Sequence, residues 1–110
     1  MDATTKERLI RLAEDDIPIH KYFGLKVDTI EKDFIRVKVP FRKDLVGDTR
    51  TNHWHGGIIA TILDSVGGAI GIANFDSAED KLSTIDLRVD YLRFADGKDL
   101  IFEGKLVRMG

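Results

Sequence analysis

The sequence predicts an α+β fold in which an antiparallel sheet wraps around one long apolar helix. Two observations predict it. Residues 55–73, HGGIIATILDSVGGAIGIA, place Ile58, Ile59, Ile62, Leu63, Val66, Ala69 and Ile70 at spacings of three and four, the period of a buried helical stripe. On either side lie pairs of segments with alternating apolar and polar residues, 25–30 with 34–39 and 82–92 with 100–107, each pair reading as a hairpin. At 110 residues the chain is expected to form one domain over 1–110, large enough for a true core.

The elements follow in order. Thr4-x-x-Glu7 has the form of a capping box, in which hydroxyl and carboxylate satisfy free amides at a helix start. Leu9, Ile10, Leu12 and Ala13 continue a short amphipathic helix that should end near Asp15-Asp16, before Pro18. Gly24 opens a strand at Leu25 to Ile30, Glu31-Lys32-Asp33 turns, and Phe34 to Val39 sets Ile35, Val37 and Val39 against Arg36 and Lys38. Pro40 stops that strand. Phe41 to Trp54 is polar and aperiodic and reads as a long loop, of the kind that often carries function. After the central helix, Asn74 to Lys81 reads as an exit loop. Leu82 to Leu92 then gives the strongest strand, with Ile85, Leu87, Val89 and Tyr91 on one face. Asp96-Gly97 turns the chain into a returning strand whose Leu100, Phe102 and Leu106 share a face.

Composition narrows the function classes. Apolar content of 43% with 33% charged residues describes a globular chain, and a net charge of −2 without a basic block argues against nucleic acid as a partner. The absence of cysteine excludes disulfides, thiolate metal sites and a cysteine nucleophile. The start MDATTKERLI lacks the apolar stretch of a targeting segment. The central helix is expected to be too short and glycine-rich to span a bilayer. No membrane partner and a cytoplasmic location are the expectations.

Asp64 is the only formally charged residue of the central helix. Its helical neighbours three, four and seven positions away are Gly57, Ala60, Thr61, Gly67, Gly68 and Gly71, all small. A carboxylate in a trench of missing side chains, expected to be buried, must be paired, hydrated or neutralised, and each helical glycine costs about 1 kcal/mol relative to alanine. Close packing or a ligand must offset both. Burial could tune Asp64 as a general base or nucleophile toward an acyl substrate; a structural acid facing a neighbouring strand or subunit is the plainer reading. Gly56-Gly57 lies at the helix start, where unpaired amides and the positive dipole end could hold an oxyanion, although a tight loop-to-helix turn is the better reading of the pair taken alone. Eight residues separate Gly56 from Asp64, about 12 Å along a helix axis, so a site shared between two subunits suits the pair better than one within a chain.

Other candidates carry less. His53-x-His55 lacks supporting ligands for metal, and His55 is expected to cap or brace the helix entry. Ser65 is not a nucleophile elbow, because Leu63 stands where its first glycine would be. Gly67, Gly68 and Gly71 follow helix rather than strand and so fail the dinucleotide fingerprint. Thr84 could position a water or be a plain strand residue. Arg88, Arg93 and Lys98 could meet phosphates or simply be solvated.

Taken together, HGGIIATILD at 55–64, VGGAIG at 66–71, TIDLRVDYLRFADGKDL at 84–100, the closing VRMG and the upstream FGLKV resemble the hotdog-fold acyl-CoA thioesterases, particularly the phenylacetic-acid-pathway (PaaI-like) branch. The resemblance spans nearly the whole chain. It implies a sheet of five or six strands around the helix, a homodimer as minimal active unit, often a homotetramer, and acyl-CoA hydrolysis with neither cofactor nor metal. Carried over residue by residue, Asp64 matches the catalytic carboxylate, Gly56 the amide that polarises the thioester carbonyl, and Thr84 a hydroxyl that orients water, with Gly57 in support. In the family, carboxylate and glycine loop come from opposite subunits. Two departures stand out. Members commonly carry Asn six residues before the His of H-G-G, where this chain has Thr49; either Asn52 takes that place through a loop shift, or substrate orientation differs. Members also continue beyond the closing strand, so a bare edge, a shortened chain or a covering partner is expected. A non-catalytic acyl-CoA-binding protein is the main alternative, and an acyl-thioester hydratase a weaker one.

Overall fold

The computed structural model of the chain describes residues 1–73, 84–90 and 98–108. The expected exit loop at 74–81, the strand ends at 82–83 and 91–92, the Asp96-Gly97 turn, Arg93 and the last two residues lie outside the described residues.

Helix α1 spans Ala3–Arg11, a π-helical turn Leu12–Asp16, and α2 Pro18–Phe23. The cap of α1 is Asp2, not the expected Thr4: its carboxylate accepts from the Thr5 N–H at 2.7 Å, and the boundary sits two residues earlier than the capping box implies. The helix does not simply run out at Asp16. Ile17 donates to the Leu12 carbonyl at 3.2 Å and is extended, as a residue before proline must be. Pro18 then starts α2, which the sequence reading missed because six residues cannot display a period. Gly24 closes α2 in the left-handed region, φ 69°, while the Leu25 N–H reaches the His20 carbonyl at 3.0 Å, the double-bonded helix end that favours glycine.

The main sheet orders β1 (Lys26–Glu31), β2 (Phe34–Val39), β6 (Leu100–Arg108) and β5 (Thr84–Asp90) as β1-β2-β6-β5, all antiparallel. The described residues thus form four strands here, against five or six implied by the resemblance. Ile35 pairs with Gly104, Val37 with Phe102 and Val39 with Leu100, and all six are buried. On the opposite face Arg36 meets Glu103 at 3.0 Å. The expected loop at 41–54 holds a short 3-10 turn, Lys43–Leu45, and a ribbon of its own, β3 (Val46–Asp48) with β4 (His53–Trp54). Trp54 anchors it: the ring is buried, and its Nε1–H donates to the Lys98 carbonyl at 2.9 Å.

Helix α3, Gly56–Ala73, lies on this sheet with Ile59, Ile62, Val66, Gly67, Ile70 and Gly71 buried. Each fully buried aliphatic side chain is worth about 1.5–3 kcal/mol, and Ile62, Val66 and Ile70 are at most 1% exposed. Contrary to the sequence expectation, length and composition alone would let α3 cross a membrane; its buried stripe instead makes it the core helix of this sheet. Gly104 lets helix and sheet approach, since a Cβ there would lie 2.8 Å from Val66 Cγ1.

Candidate active site

The start of α3 is built by His55. Its backbone N–H donates to the Leu45 carbonyl at 2.9 Å, and its own carbonyl accepts from Ile58 and Ile59 at 3.1 and 3.2 Å. Its ring Nδ1 accepts from the Gly57 N–H at 2.9 Å. The first helical amides are therefore accounted for one by one, and the Gly56 N–H is the one without a partner among the described residues. Apart from its chain neighbours and the helix's own backbone, nothing described lies within 4 Å of where a Gly56 Cβ would sit, and Gly56 is exposed. Gly57 is different: a Cβ there would fall 2.9 Å from His55 Cε1. The ring cap requires glycine at 57, whereas position 56 requires only an N–H.

Asn52 lies close by in sequence, at the turn of the β3–β4 ribbon. It is exposed and left-handed, φ 57°, a conformation asparagine tolerates better than most residues. Its N–H donates to the Asp48 carbonyl at 2.9 Å. Arg50 holds the Asp48 carboxyl below its ordinary value of 3.8, first through its side chain and then through its backbone N–H. The loop is pinned to the helix entry at Gly47, where a Cβ would stand 3.3 Å from the His55 Cα.

Asp64 is exposed, which corrects the expectation of a buried carboxylate. It projects from the side of α3 opposite the sheet, where Ala60 and Gly68 are also exposed, while Gly67 and Gly71 face the packed side. The trench of small residues is thus split between two faces. Asp64, Ser65, Gly68, Ala69 and Ile72 of α3 wall one side of a pocket of about 190 Å³, whose other wall comes from α1, the π-helical turn, α2 and Ile30. His20 also lines it. That residue was not legible in the sequence, where a lone histidine between Pro18 and Gly24 carries no pattern.

The fold therefore brings His55, Gly56 and Gly57 together, with Asn52 beside them in the chain, and sets Asp64 two helical turns away. Thr84 opens β5 opposite Arg108, and its side chain lies outside the described residues, as do those of Arg88 and Tyr91. Lys98 is exposed. Among the described residues, no three His, Asp or Glu gather as metal ligands.

No family model matches the chain. It is 35% identical over 116 residues to the Halobacterium salinarum protein named "Putative esterase VNG_1336C", covering 99% of this chain and 73% of the relative. It is 30% identical over 122 residues to the Salmonella typhimurium medium/long-chain acyl-CoA thioesterase YigI, covering 96% of this chain and 79% of the relative. A Shewanella oneidensis crystal structure related to the thioesterase superfamily superposes with a TM-score of 0.73 at 29% identity, covering all of this chain and 82% of that one.

Proposed function

The chain belongs to the hotdog-fold thioesterase superfamily, and from that premise we propose that it hydrolyses acyl-CoA thioesters to free acid and CoA in a site shared between two copies. The observation that carries the reading is the unpartnered Gly56 N–H at the positive end of α3, with a lone carboxylate open to solvent further along the same helix. The amide would stabilise the oxyanion that forms when the thioester carbonyl is attacked. Asp64 would take the proton from the attacking water and return it to the departing sulfur, or attack the carbonyl itself to leave a mixed anhydride that water then opens; either way the C–S bond breaks, CoA leaves as the thiol and the acyl group as the free acid. In this reading His55 and Gly57 support the geometry of the amide, Asn52 would contact substrate, and Thr84 would orient water.

Two copies are part of the proposal. Gly56 and Asp64 are about 12 Å apart along one axis, too far to act on the same carbonyl. The outward face of α3 exposes Ala60, Asp64, Gly68 and Ile72, the last 39% exposed, and a second copy laid on that face would bring one copy's Asp64 to the other's Gly56. The phenylacetic-acid-pathway branch remains part of this reading, as does a cytoplasmic homodimer or homotetramer.

The test is thiol release from short, medium, long and aryl acyl-CoAs by the unmodified chain and by Asp64→Asn. The expected result is release that falls about 10²–10⁴-fold in the variant, the range for loss of a positioned acid or base. Full activity in Asp64→Asn would overturn the assignment. Tight acyl-CoA binding with no release from either protein would replace it with a non-catalytic binding role.

A further inference from the structure

The Gly56 amide is only as well placed as the segment that carries it. That segment is the ribbon of β3 and β4, three residues against two, and a two-stranded ribbon of this size is marginal by itself in water. Its last residue, Trp54, stands two positions before Gly56. The Trp54 ring is 5% exposed and meets the Phe41 ring edge to face, with centroids 5.9 Å apart. Its Nε1–H donates to the Lys98 carbonyl at 2.9 Å, and an indole nitrogen has no other hydrogen-bonding use.

The acceptor end is held as well. β2 stops at Val39, and Pro40 has no N–H with which to extend it. The next amide, that of Phe41, donates to Asp99 Oδ1 at 2.8 Å, while Asp99 Oδ2 stands 3.4 Å from Lys38 Nζ. Lys98 and Asp99 lead straight into β6. Ribbon and sheet are thus latched through neighbouring residues: Lys98 accepts from Trp54, Asp99 accepts from Phe41, and the two rings pack on each other. From Trp54 the constraint passes directly into the helix entry, where the His55 N–H bonds the Leu45 carbonyl and the His55 ring caps Gly57.

Such a latch matters to an oxyanion donor, which acts over a window of about 2.7–3.1 Å. A misplacement of about 1 Å can cost about 10²-fold in rate. We infer that the Trp54 indole N–H is a positioning group for the hydrolysis: by tying the ribbon to the Lys98 carbonyl it fixes the Gly56 amide where the thioester oxyanion forms. The inference rests on the thioesterase reading and deepens it by naming a residue that serves the site from outside. Trp54 is buried and acts through the amide, not on the C–S bond.

The experiment is a cycle of Trp54→Phe, Gly56→Pro and the double variant, with octanoyl-CoA as substrate. Phenylalanine keeps a buried ring and removes the N–H. Trp54→Phe should lower kcat by about 10–10²-fold with KM little changed, the pattern of an interaction made in the transition state. In Gly56→Pro, which has no amide to place, the same change should cost nothing further. General loosening of the fold would lower kcat by the same factor in both backgrounds, so equal factors overturn the proposal, as does a Trp54→Phe variant with the parent's kcat. The motion of the amide gives a reading that needs no turnover. By ¹⁵N relaxation the Gly56 order parameter should be about 0.85 in the parent and below about 0.6 in Trp54→Phe. In a chain that hydrolyses nothing, that fall would sustain the latch and refute the thioesterase; an amide equally rigid in both proteins would refute the latch, whatever the hydrolysis. If the buried substitution prevents folding, Asp99→Ala at an exposed position loosens the acceptor end instead. The same losses should then appear there and be recovered in Asp99→Asn, which keeps Oδ1; an Asp99→Ala variant matching the parent in kcat and order parameter would overturn the proposal.

Discussion

The Gly57 N–H donates to the ring Nδ1 of His55 at 2.9 Å, so the residue before α3 caps it with an aromatic nitrogen rather than the usual hydroxyl or carboxylate. The cap works only because residue 57 has no Cβ, which would otherwise meet the ring at 2.9 Å. His55→Ala should therefore cost about 1 kcal/mol, the ordinary loss for a removed helix cap. His55→Asn should recover most of it, because a carboxamide oxygen can reach the same amide. Urea denaturation of the three proteins checks this, and an alanine variant as stable as the parent would show the ring contact to be incidental.

Residue 56 separates backbone from side-chain effects. Nothing lies within 4 Å of a Gly56 Cβ, so Gly56→Ala should fold normally and keep its amide. Gly56→Pro is the informative change, since proline suits the first helical position but has no N–H to offer. Its expected signature is a loss of about 10²–10³ in kcat, the worth of one oxyanion donor, with little change in stability. Parallel steady-state kinetics and thermal melts test it; a proline variant that turns over normally would remove the amide from the mechanism.

Why the central helix and both hairpins were legible in the sequence, and α2 was not, follows from length. Residues 55–73 and 34–39 are long enough for their periods to register, and α3 begins within one residue of the expected point. Pro18–Phe23 is a single capped turn and a half, specified by Pro18 and Gly24 rather than by a pattern. The ribbon inside 41–54 was hidden for a related reason: it is held by the Trp54 bond to Lys98 and the His55 bond to Leu45, long-range or backbone contacts that no local window displays. Asp64 was found by its isolation in an apolar helix, but its exposure was misjudged. Small neighbours were read as packing on all sides, whereas Ala60 and Gly68 face outward. His20 gave no signal at all.

Acid should loosen the wall of the pocket. Lys6 in α1 bonds Glu31 of β1 at 2.7 Å, and that hydrogen bond holds the Glu31 carboxyl below its ordinary 4.5, with the Lys6 charge adding to it. A carboxyl depressed in the folded state binds fewer protons there than in the unfolded chain. Its stabilisation is thus fully present above pH 4.5 and is lost as pH falls through the lower folded value. The pair is exposed, so the effect is small and weakens in salt. Glu31→Gln should be less stable than the parent at pH 7, with the difference shrinking as pH falls below 4.5 and vanishing once the folded-state carboxyl is protonated, by urea midpoint. A difference that persists in acid would mean the residue acts through packing.

Gly104 tests how closely α3 rides on the sheet. A Cβ there would sit 2.8 Å from Val66 Cγ1 and 3.1 Å from Ile35 Cγ2, and those side chains are 1% and 0% exposed, with no free space to move into. Replacing glycine in a strand by alanine would otherwise help by about 0.4–1 kcal/mol through the unfolded chain. The overlap is expected to win, for a net loss of about 1–3 kcal/mol. Val66→Ala removes the atom responsible for the shortest contact, at the cost of its own buried methyl groups. The two changes share one contact and should not add: the double variant is expected to be about 0.5–3 kcal/mol more stable than the sum of the singles predicts. Strict additivity in denaturant unfolding would mean that the helix lifts off the sheet as a body, and that Val66 does not set the gap.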